Sequence, residues 1–209
     1  MTEPFDLETL DENAIDAALD VRIREHLSRC FPDSPDKFQK YRVWHNLSPE
    51  YTVLVRQCDL SEIGHTLRKN EEASVIGHVA VVIRTITTTW NWRYNAASIQ
   101  GVSVAEEFRH TGLATRMVEH ALNEAKRRGY LYAVLFCKEP LVPFYESLGW
   151  RLTDDSVIMW NEQDCPITMR SNCPMVKELT GQPFPEGPVD VHNPEQVGMK
   201  GTIKPEHGT

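Results

Sequence analysis

Apolar residues recur at the spacing of one helix face from residue 113 onward. The members of this stripe are Leu113, Ala114, Met117, Val118, Ala121, Leu122 and Ala125. The opposite face is polar, as in an amphipathic surface helix. The segment ends in three cations and a glycine, Lys126, Arg127, Arg128 and Gly129. Cations suit the carbonyl end of a helix and glycine supplies a left-handed cap, so the pattern predicts a helix that ends near residue 128.

Alternating apolar residues predict strands on both sides of this helix. Before the helix, three strands form a meander with a Thr and Trp turn at residues 87–91; they are Tyr51–Val55, Ala73–Ile86 and Ala96–Val104. After the helix, the predicted strands are Tyr130–Cys137, Trp150–Leu152, Val157–Asn161, Ile167–Met169 and Met175–Leu179. Pro140–Pro143 opens a short helix that closes at Gly149, because proline suits the first turn of a helix. Together these elements predict a mixed sheet flanked by helices.

The two ends of the chain have a different character from its centre. Met1–Glu12 is acidic and is predicted to be a loose arm, and Asn13 is predicted to cap a helix from Ala14 to about Cys30. A polar excursion follows the first strand at Asp59–Glu72. From Gly181 onward proline and glycine alternate and large apolar residues become sparse. We therefore expect one domain over residues 1–180 and an extended or mobile tail over 181–209.

Composition narrows the class of protein. A net charge of −8 and a pI near 5.5 argue against a nucleic-acid binder and favour cationic partners. The longest apolar run, Tyr130–Cys137, is far shorter than the ~20 residues of a membrane helix, and the acidic N-terminus is unlike a signal peptide. The five cysteines are scattered, with no C-x-x-C pair. We expect a cytoplasmic protein that has no metal site and binds neither a membrane nor a nucleic acid.

The candidate chemistry lies where the third strand meets the central helix. The stretch reads V-S-V-A-E-E-F-R-H-T-G-L-A-T from Val102 to Thr115. Gly112 and its neighbours place unpaired N–H groups at the positive end of a helix, with little side-chain bulk to keep a ligand away. An anion is the expected ligand; the alternative is that Gly112 only permits a tight turn.

Two motifs in this chain resemble those of the GNAT superfamily of N-acetyltransferases. The pattern Arg109-x-x-Gly112-x-Ala114, after a V-x-V strand, resembles that family's acyl-CoA pyrophosphate loop. Downstream, F-Y-E-S-L-G-W from Phe144 to Trp150 resembles the segment that follows the family's fifth strand. The resemblance covers roughly Ala14 to Leu179. It implies an α/β (α+β) fold with a mixed, mostly antiparallel central sheet flanked by helices.

The resemblance also implies roles for individual residues. A backbone N–H of the strand before the loop would polarise the thioester carbonyl of acetyl-CoA, the co-substrate; that strand is Val102, Ser103 and Val104. The loop would hold the phosphates with the charge of Arg109 and with N–H groups or hydroxyls of His110, Thr111, Gly112, Leu113, Ala114 and Thr115. Tyr145 lies where the family commonly places the tyrosine that protonates the departing sulfur. Its alternative role is packing beneath the cofactor.

Two positions depart from the patterns that the resemblance suggests. Q-G-V-S-V at Gln100–Val104 is similar to aminoglycoside 2′-N-acetyltransferases, which tend to have a glutamate where this chain has Gln100. Lys138 replaces the asparagine typical seven positions before the tyrosine. Glutamine cannot act as a base, so the base stays open among Glu106, Glu107, His110 and a chain of water molecules.

Other polar and aromatic residues have both a functional and a structural interpretation. The family resemblance places Tyr41 and Trp44 near an acceptor site, whereas large aromatic rings are mostly buried for packing. His78 lies within a strand, where a hydrogen-bonded core histidine is expected rather than a catalytic one. Acidic residues of the C-terminal strands would attract an amine or form a solvated face; they are Asp154, Asp155, Glu162 and Asp164.

The sequence thus supports one main function and two alternatives. The main hypothesis is acetyl transfer from acetyl-CoA to a primary amine of a small, cationic acceptor. The alternatives are a CoA-binding sensor or partner protein without transfer activity, and a longer-chain N-acyltransferase. Whether the chain forms a homodimer is left open.

Overall fold

The structure is a computed structural model that describes residues 5–44, 47–57, 73–90, 92–153, 157–160, 166–167 and 172–192. The helices are α1 (Ala17–Cys30), α2 (Pro35–Phe38), α3 (Leu113–Arg127) and α4 (Val142–Ser147). The strands are β1 (Leu7–Asp11), β2 (Tyr51–Gln57), β3 (Ser74–Thr88), β4 (Arg93–Val104), β5 (Tyr132–Cys137), β6 (Arg151–Leu152), β7 (Val157–Trp160), β8 (Pro166–Ile167), β9 (Cys173–Glu178) and β10 (Val189–His192). They form a mixed, mostly antiparallel sheet flanked by helices, as predicted.

The chain divides into two compact units, and β3 and β4 contribute residues to both. Unit 1 comprises Met1–Ala80 and Gln100–Ala121, and unit 2 comprises Val81–Ile99 and Leu122–Thr209. None of the helices in the described ranges has the length and apolarity needed to span a bilayer.

Unit 1 contains the N-terminal strand, which corrects the prediction of a loose arm over Met1–Glu12. β1 pairs antiparallel with β2, from Leu7 opposite Val55 to Asp11 opposite Tyr51, and Glu8 forms an ion pair with Arg56. Residues 1–4 lie outside the described residues. One buried apolar cluster of this unit contains Leu19, Ile23, Leu27, Phe38, Leu54 and Val75.

Helix α1 begins three residues later than predicted. Asp16 is its N-cap, and the Leu19 N–H donates to Asp16 Oδ1 over 2.8 Å. Asn13 instead lies in a 3₁₀ turn over Glu12–Ala14. Capping by Asp16 lets the buried stripe of the helix begin at Leu19, and Ala18 is exposed.

Unit 2 is built on a strand order of β6-β9-β5-β4-β3-β10-β7-β8. β4 pairs parallel with β5, with Ala97 opposite Ala133. β10 pairs parallel with β7, and β5 pairs antiparallel with β9 along its whole length. One buried apolar cluster of the unit contains Ile86, Ala96, Tyr132, Val134, Val176, Phe184 and Val189.

The described part of the predicted tail joins this sheet. β10 pairs antiparallel with β3, with Val189 opposite Thr88, and Phe184 and Val189 are buried in the core of unit 2. Of the two predicted alternatives, an extended or a mobile tail from Gly181, the described residues follow the extended one, because Val189–His192 form a strand of the sheet. Residues 193–209 lie outside the described residues.

The strongly periodic segments match their predictions. The stripe of α3 is buried apart from half-buried Ala114, and Gly129 has a φ of +89°. The meander of β2, β3 and β4 and the short helix closed by Gly149 are also present. The predicted polar excursion at Asp59–Glu72 and the last residues of two predicted strands, Asn161 and Thr168–Met169, lie outside the described residues.

Candidate functional site

The predicted anion-binding loop lies on the surface of unit 1. β4 ends at Val104, a 3₁₀ turn spans Glu106–Phe108, and α3 begins at Leu113. Leu113 is 1% exposed and anchors the start of the helix. Residues 109–112 are all exposed, whereas 114 and 115 are half-buried. The loop is therefore accessible from solvent along the residues that the sequence singled out.

The loop backbone adopts left-handed conformations at two positions. His110 has a φ of +63° and Gly112 a φ of +81°. A side chain at Gly112 would meet no atom of the described residues within 4 Å, so they leave open the space above the loop. The Arg116 N–H donates to the Gly112 carbonyl over 3.2 Å, which is the first main-chain bond of α3. The N–H groups of residues 113–115 precede that bond and have no helical carbonyl to reach. These features fit a phosphate group at the positive end of the helix.

Two side chains of the loop donate hydrogen bonds to main-chain carbonyls nearby. The Thr111 hydroxyl donates to the Phe108 carbonyl over 2.7 Å. Arg109 Nε donates to the Val104 carbonyl over 3.3 Å, which ties the loop to the end of β4. Because its hydroxyl proton is engaged, Thr111 has only its N–H to offer an anion. The Arg109 side chain is exposed, and its guanidinium also interacts with the Cys30 thiol of α1.

The C-terminal part of β4 is held by two buried histidines. His78 Nδ1 lies 2.8 Å from the Gly101 carbonyl oxygen, and His26 Nε2 lies 3.0 Å from Ser103 Oγ. Burial lowers the pKa of His78 to about 3 and that of His26 to about 4. His78 is thus a hydrogen-bonded core histidine, as predicted. Sequence reasoning missed His26, although its position beside the apolar stripe of α1 marks it as an inward-facing polar residue.

Gln100 has a structural contact that its sequence position did not reveal. Its Oε1 accepts a hydrogen bond from the Trp44 N–H over 3.0 Å. Trp44 packs against Phe31 and Phe38, with ring centroids 5.9 and 4.8 Å away, in keeping with the packing interpretation. Tyr41 is 40% exposed, with the Lys37 ammonium 4.8 Å from its ring centroid. Gln100 therefore links the segment before β2 to β4.

Unit 2 holds the candidate proton donor, Tyr145, on α4. The side chain is 6% exposed, and its ring makes edge contacts with Phe144 and Trp150 at 4.9 and 6.1 Å. Its carbonyl accepts the Trp150 N–H over 3.1 Å, which fixes the turn after the helix. Burial, and secondarily the Cys137 thiol, raise the pKa of Tyr145 well above 10. Tyr145 therefore carries its proton at neutral pH.

The remaining candidates do not form a recognisable base. Glu106, Glu107 and His110 are exposed on the turn and loop, and Lys138 is exposed before α4. The residues that the structure describes contain no cluster of three or more metal-ligating side chains. The predicted acidic residues Asp154, Asp155, Glu162 and Asp164 lie outside the described residues.

A family model now assigns the chain. The model, described as an acetyltransferase (GNAT) domain, matches residues 15–153. The chain belongs to the GNAT acetyltransferase family. GNAT enzymes use acyl-CoA, and the GNAT fold supports acyl transfer to amines. No curated protein sequence matches the chain.

Solved structures of GNAT enzymes share the fold at low sequence identity. Escherichia coli ElaA is 13% identical, with 83% of this chain and 99% of that chain covered and a TM-score of 0.54. An acyl-CoA N-acyltransferase from Pseudomonas aeruginosa is also 13% identical, with 83% of this chain and 99% of that chain covered and a TM-score of 0.52. An aminoglycoside 6′-N-acetyltransferase crystallised with coenzyme A is 14% identical, with 86% of this chain and 99% of that chain covered and a TM-score of 0.51. The similarity to the 2′ enzymes stays a prediction.

Proposed function

We propose that this protein transfers an acetyl group from acetyl-CoA to the primary amine of a small, cationic acceptor. The observation that carries the proposal is the exposed loop at Arg109–Gly112 together with the first turn of α3 that follows it. The N–H groups of residues 113–115 there precede the first main-chain bond of α3, and among the described residues no atom lies within 4 Å of where a side chain at Gly112 would begin. A diphosphate is the part of acetyl-CoA that such a loop suits, because it needs many donors close together.

Loop and strand have separate tasks in this proposal. N–H groups of His110, Thr111, Gly112, Leu113, Ala114 and Thr115 bind phosphate oxygens, and Arg109 adds charge. Bound acetyl-CoA supplies an acyl group activated as a thioester. A backbone N–H in Val102–Val104 donates to the thioester carbonyl oxygen, where negative charge develops as the amine attacks. Removing one such donor typically costs about 10²–10³ in rate.

Tyr145 holds the proton that the leaving sulfur needs. A thiol has a pKa near 8.5, whereas burial raises the pKa of Tyr145 above its ordinary value. The phenol is therefore protonated when the reaction begins, but full transfer to a thiolate is uphill. Tyr145 therefore acts as a hydrogen-bond donor to sulfur while the bond to the acyl carbon breaks, and the proton that the attacking amine releases balances the one that the CoA thiol gains, so the phenol keeps its proton overall.

The acceptor must reach the site as a neutral amine. With an ordinary pKa near 10.4, only roughly one lysine-like amine in a few thousand is neutral at pH 7. The net charge of −8 attracts cationic molecules in general. Similarity to enzymes named for acetylating aminoglycosides supports a small-molecule acceptor.

Release of free CoA tests the proposal directly. Acetyl-CoA is incubated with aminoglycosides, polyamines, amino acids and lysine peptides, each product mass is measured, and acetyl-CoA binding is measured separately. Acetylation of one cationic class supports the proposal. Binding without turnover favours a CoA-binding sensor, and preference for long-chain acyl-CoA favours a longer-chain acyltransferase. Failure to bind any CoA ester would overturn the role of the loop.

A further inference from the structure

The hydrogen bond between His78 and Gly101 has a definite direction. A carbonyl oxygen can only accept, so His78 Nδ1 carries the proton and donates it over 2.8 Å. The low pKa caused by burial keeps the ring neutral, which leaves Nε2 without a proton. That atom is buried and has no partner among the described residues. His78 is therefore a neutral imidazole with one donor, and that donor points at a peptide of β4.

The peptide between Gly101 and Val102 accepts this bond with its C=O on one side of the strand and has its N–H on the other side. In a planar trans peptide the C=O and the N–H point in opposite directions, and the described residues contain no cis peptide. Because the Gly101 carbonyl points at His78, the Val102 N–H points away from it. Val102 is half-buried, whereas Gly101 is buried.

The same reasoning separates the three residues predicted to supply the polarising N–H. The Ala105 N–H donates to the Ile76 carbonyl over 2.8 Å, so it faces β3. Successive N–H groups of a strand face opposite sides, so the Ser103 N–H also faces β3. The N–H groups of Val102 and Val104 face away. The Val102 N–H belongs to the peptide whose carbonyl accepts a bond from His78 over 2.8 Å, whereas the imidazole of His26 contacts Ser103, which precedes Val104.

Gly101 is the residue that makes this contact sterically acceptable. Its φ of +59° lies in the left-handed region, and a Cβ there would be 3.2 Å from His78 Cε1. That separation is tighter than ordinary van der Waals contact. A side chain at position 101 would thus strain the backbone and displace the imidazole.

We propose that His78 is a positioning residue that fixes and polarises the Gly101–Val102 peptide, so that the Val102 N–H stabilises the negative charge on the thioester oxygen. The proposal rests on the proposed acetyl transfer. A donor on a carbonyl draws electron density from the peptide, and the N–H at its other end becomes a stronger donor. His78 itself contacts neither the acyl group nor the amine.

Two substitutions of His78 separate positioning from packing. His78→Leu fills the space without a donor, whereas His78→Asn offers an amide N–H close to the place of Nδ1. We expect kcat to fall about tenfold in His78→Leu, with the acetyl-CoA dissociation constant unchanged within twofold. His78→Asn should recover most of the lost kcat. His120→Leu, which removes an imidazole bonded to Thr9 Oγ1 elsewhere in unit 1, should leave kcat unchanged.

The amide resonance of Val102 gives a second readout that needs no acceptor. In ¹⁵N-labelled protein, the Val102 amide proton should move upfield in His78→Leu and return toward its original position in His78→Asn. An unmoved resonance, or an unchanged kcat in folded His78→Leu, would overturn the proposal. If the wild-type protein acetylates nothing, the proposed function fails, and the resonance still decides whether His78 polarises the peptide.

Discussion

The two units contribute candidate groups of opposite kinds. In unit 1 the candidate donors are main-chain N–H groups on an exposed loop and at the end of β4, positioned by left-handed residues and by buried histidines. In unit 2 the candidate is one side-chain hydroxyl, that of Tyr145, on a residue 6% exposed. A main-chain donor survives most side-chain substitutions and is lost when the backbone turns. A side-chain donor such as the Tyr145 hydroxyl is lost when a substitution removes that one oxygen atom.

Tyr145→Phe gives the largest effect expected from this contrast. The variant keeps the ring contacts with Phe144 and Trp150 but removes the proton, so kcat should fall about 100-fold while the acetyl-CoA dissociation constant stays unchanged. Steady-state kinetics and calorimetric titration measure the two quantities. Tyr94→Phe is the matched control, because Tyr94 packs edge-on against Tyr132 in the same unit. A kcat within twofold of wild type would leave Tyr145 with a packing role only.

The units should also lose stability at opposite ends of the pH range. The folded-state pKa values of His78 and His26, about 3 and about 4, lie below the ordinary 6.5. The unfolded chain therefore binds more protons below pH 6.5, and stability falls as the pH drops toward those values. Between pH 6.5 and 5 each histidine should remove up to about 2 kcal/mol from the free energy of unfolding.

Urea unfolding at pH 7 and pH 5 measures this loss. His78→Asn has no imidazole to titrate and should lose less between the two pH values. Tyr145, whose pKa is raised, should act in the other direction, because stability falls as the pH rises above about 10. Equal stability at pH 7 and pH 5 would contradict the buried, neutral state of both histidines.

Gly112→Ala should weaken binding without removing any functional group. A non-glycine residue in the left-handed region costs about 1–2 kcal/mol, so the loop should relax and its N–H groups should turn. We expect the acetyl-CoA dissociation constant to rise about tenfold, as read by calorimetry. Gly187→Ala is the control, since its φ of +86° imposes the same strain with no atom within 4 Å. It should lower stability similarly and leave affinity intact; equal affinity losses in both variants would argue against a role for the loop.

Arg109→Gln should give the smallest effect. The side chain is exposed, so its attraction to phosphate is screened, and the dissociation constant should rise about threefold at low salt. Titrations at low and high salt should show the difference shrinking as salt increases. Arg127→Gln makes the same charge change at the far end of α3, where Arg127 is paired with Glu124, and should not alter affinity. A salt-independent loss would indicate that Arg109 acts by shaping the loop.

The sequence predicted the parts of the molecule that local rules determine. The stripe of α3 and the long alternation of β3 and β4 follow from the 3.6- and 2-residue periods. Gly112, Gly129 and Gly149 all have positive φ because a turn or cap requires it at each. The loop at Arg109–Gly112 and the start of α3 after it were therefore predictable before any tertiary contact was known.

The parts that sequence reasoning missed depend on distant partners. β1 and β10 are only five and four residues long, and each is a strand because a neighbouring strand offers hydrogen bonds. Asn13 and Asp16 are both good N-caps, and the choice between them follows from where Leu19 must be buried. The contacts of His26 with Ser103 and of Gln100 with Trp44 join residues 77 and 56 positions apart. No local pattern encodes such pairs.

The position of β10 has a consequence for the nascent chain. Thr88 of β3 pairs with Val189, so the ribosome adds about 100 residues after Thr88 before its partner exists. At typical translation rates of about 5–20 residues per second, this edge of β3 stays open for roughly 5–20 seconds. Once β7 and β8 have been synthesised, they also lack a connection to β3 until β10 follows, because the strand order places β10 between β3 and β7. An open edge of this kind invites pairing with another chain, and truncation before Val189 would make that exposure permanent.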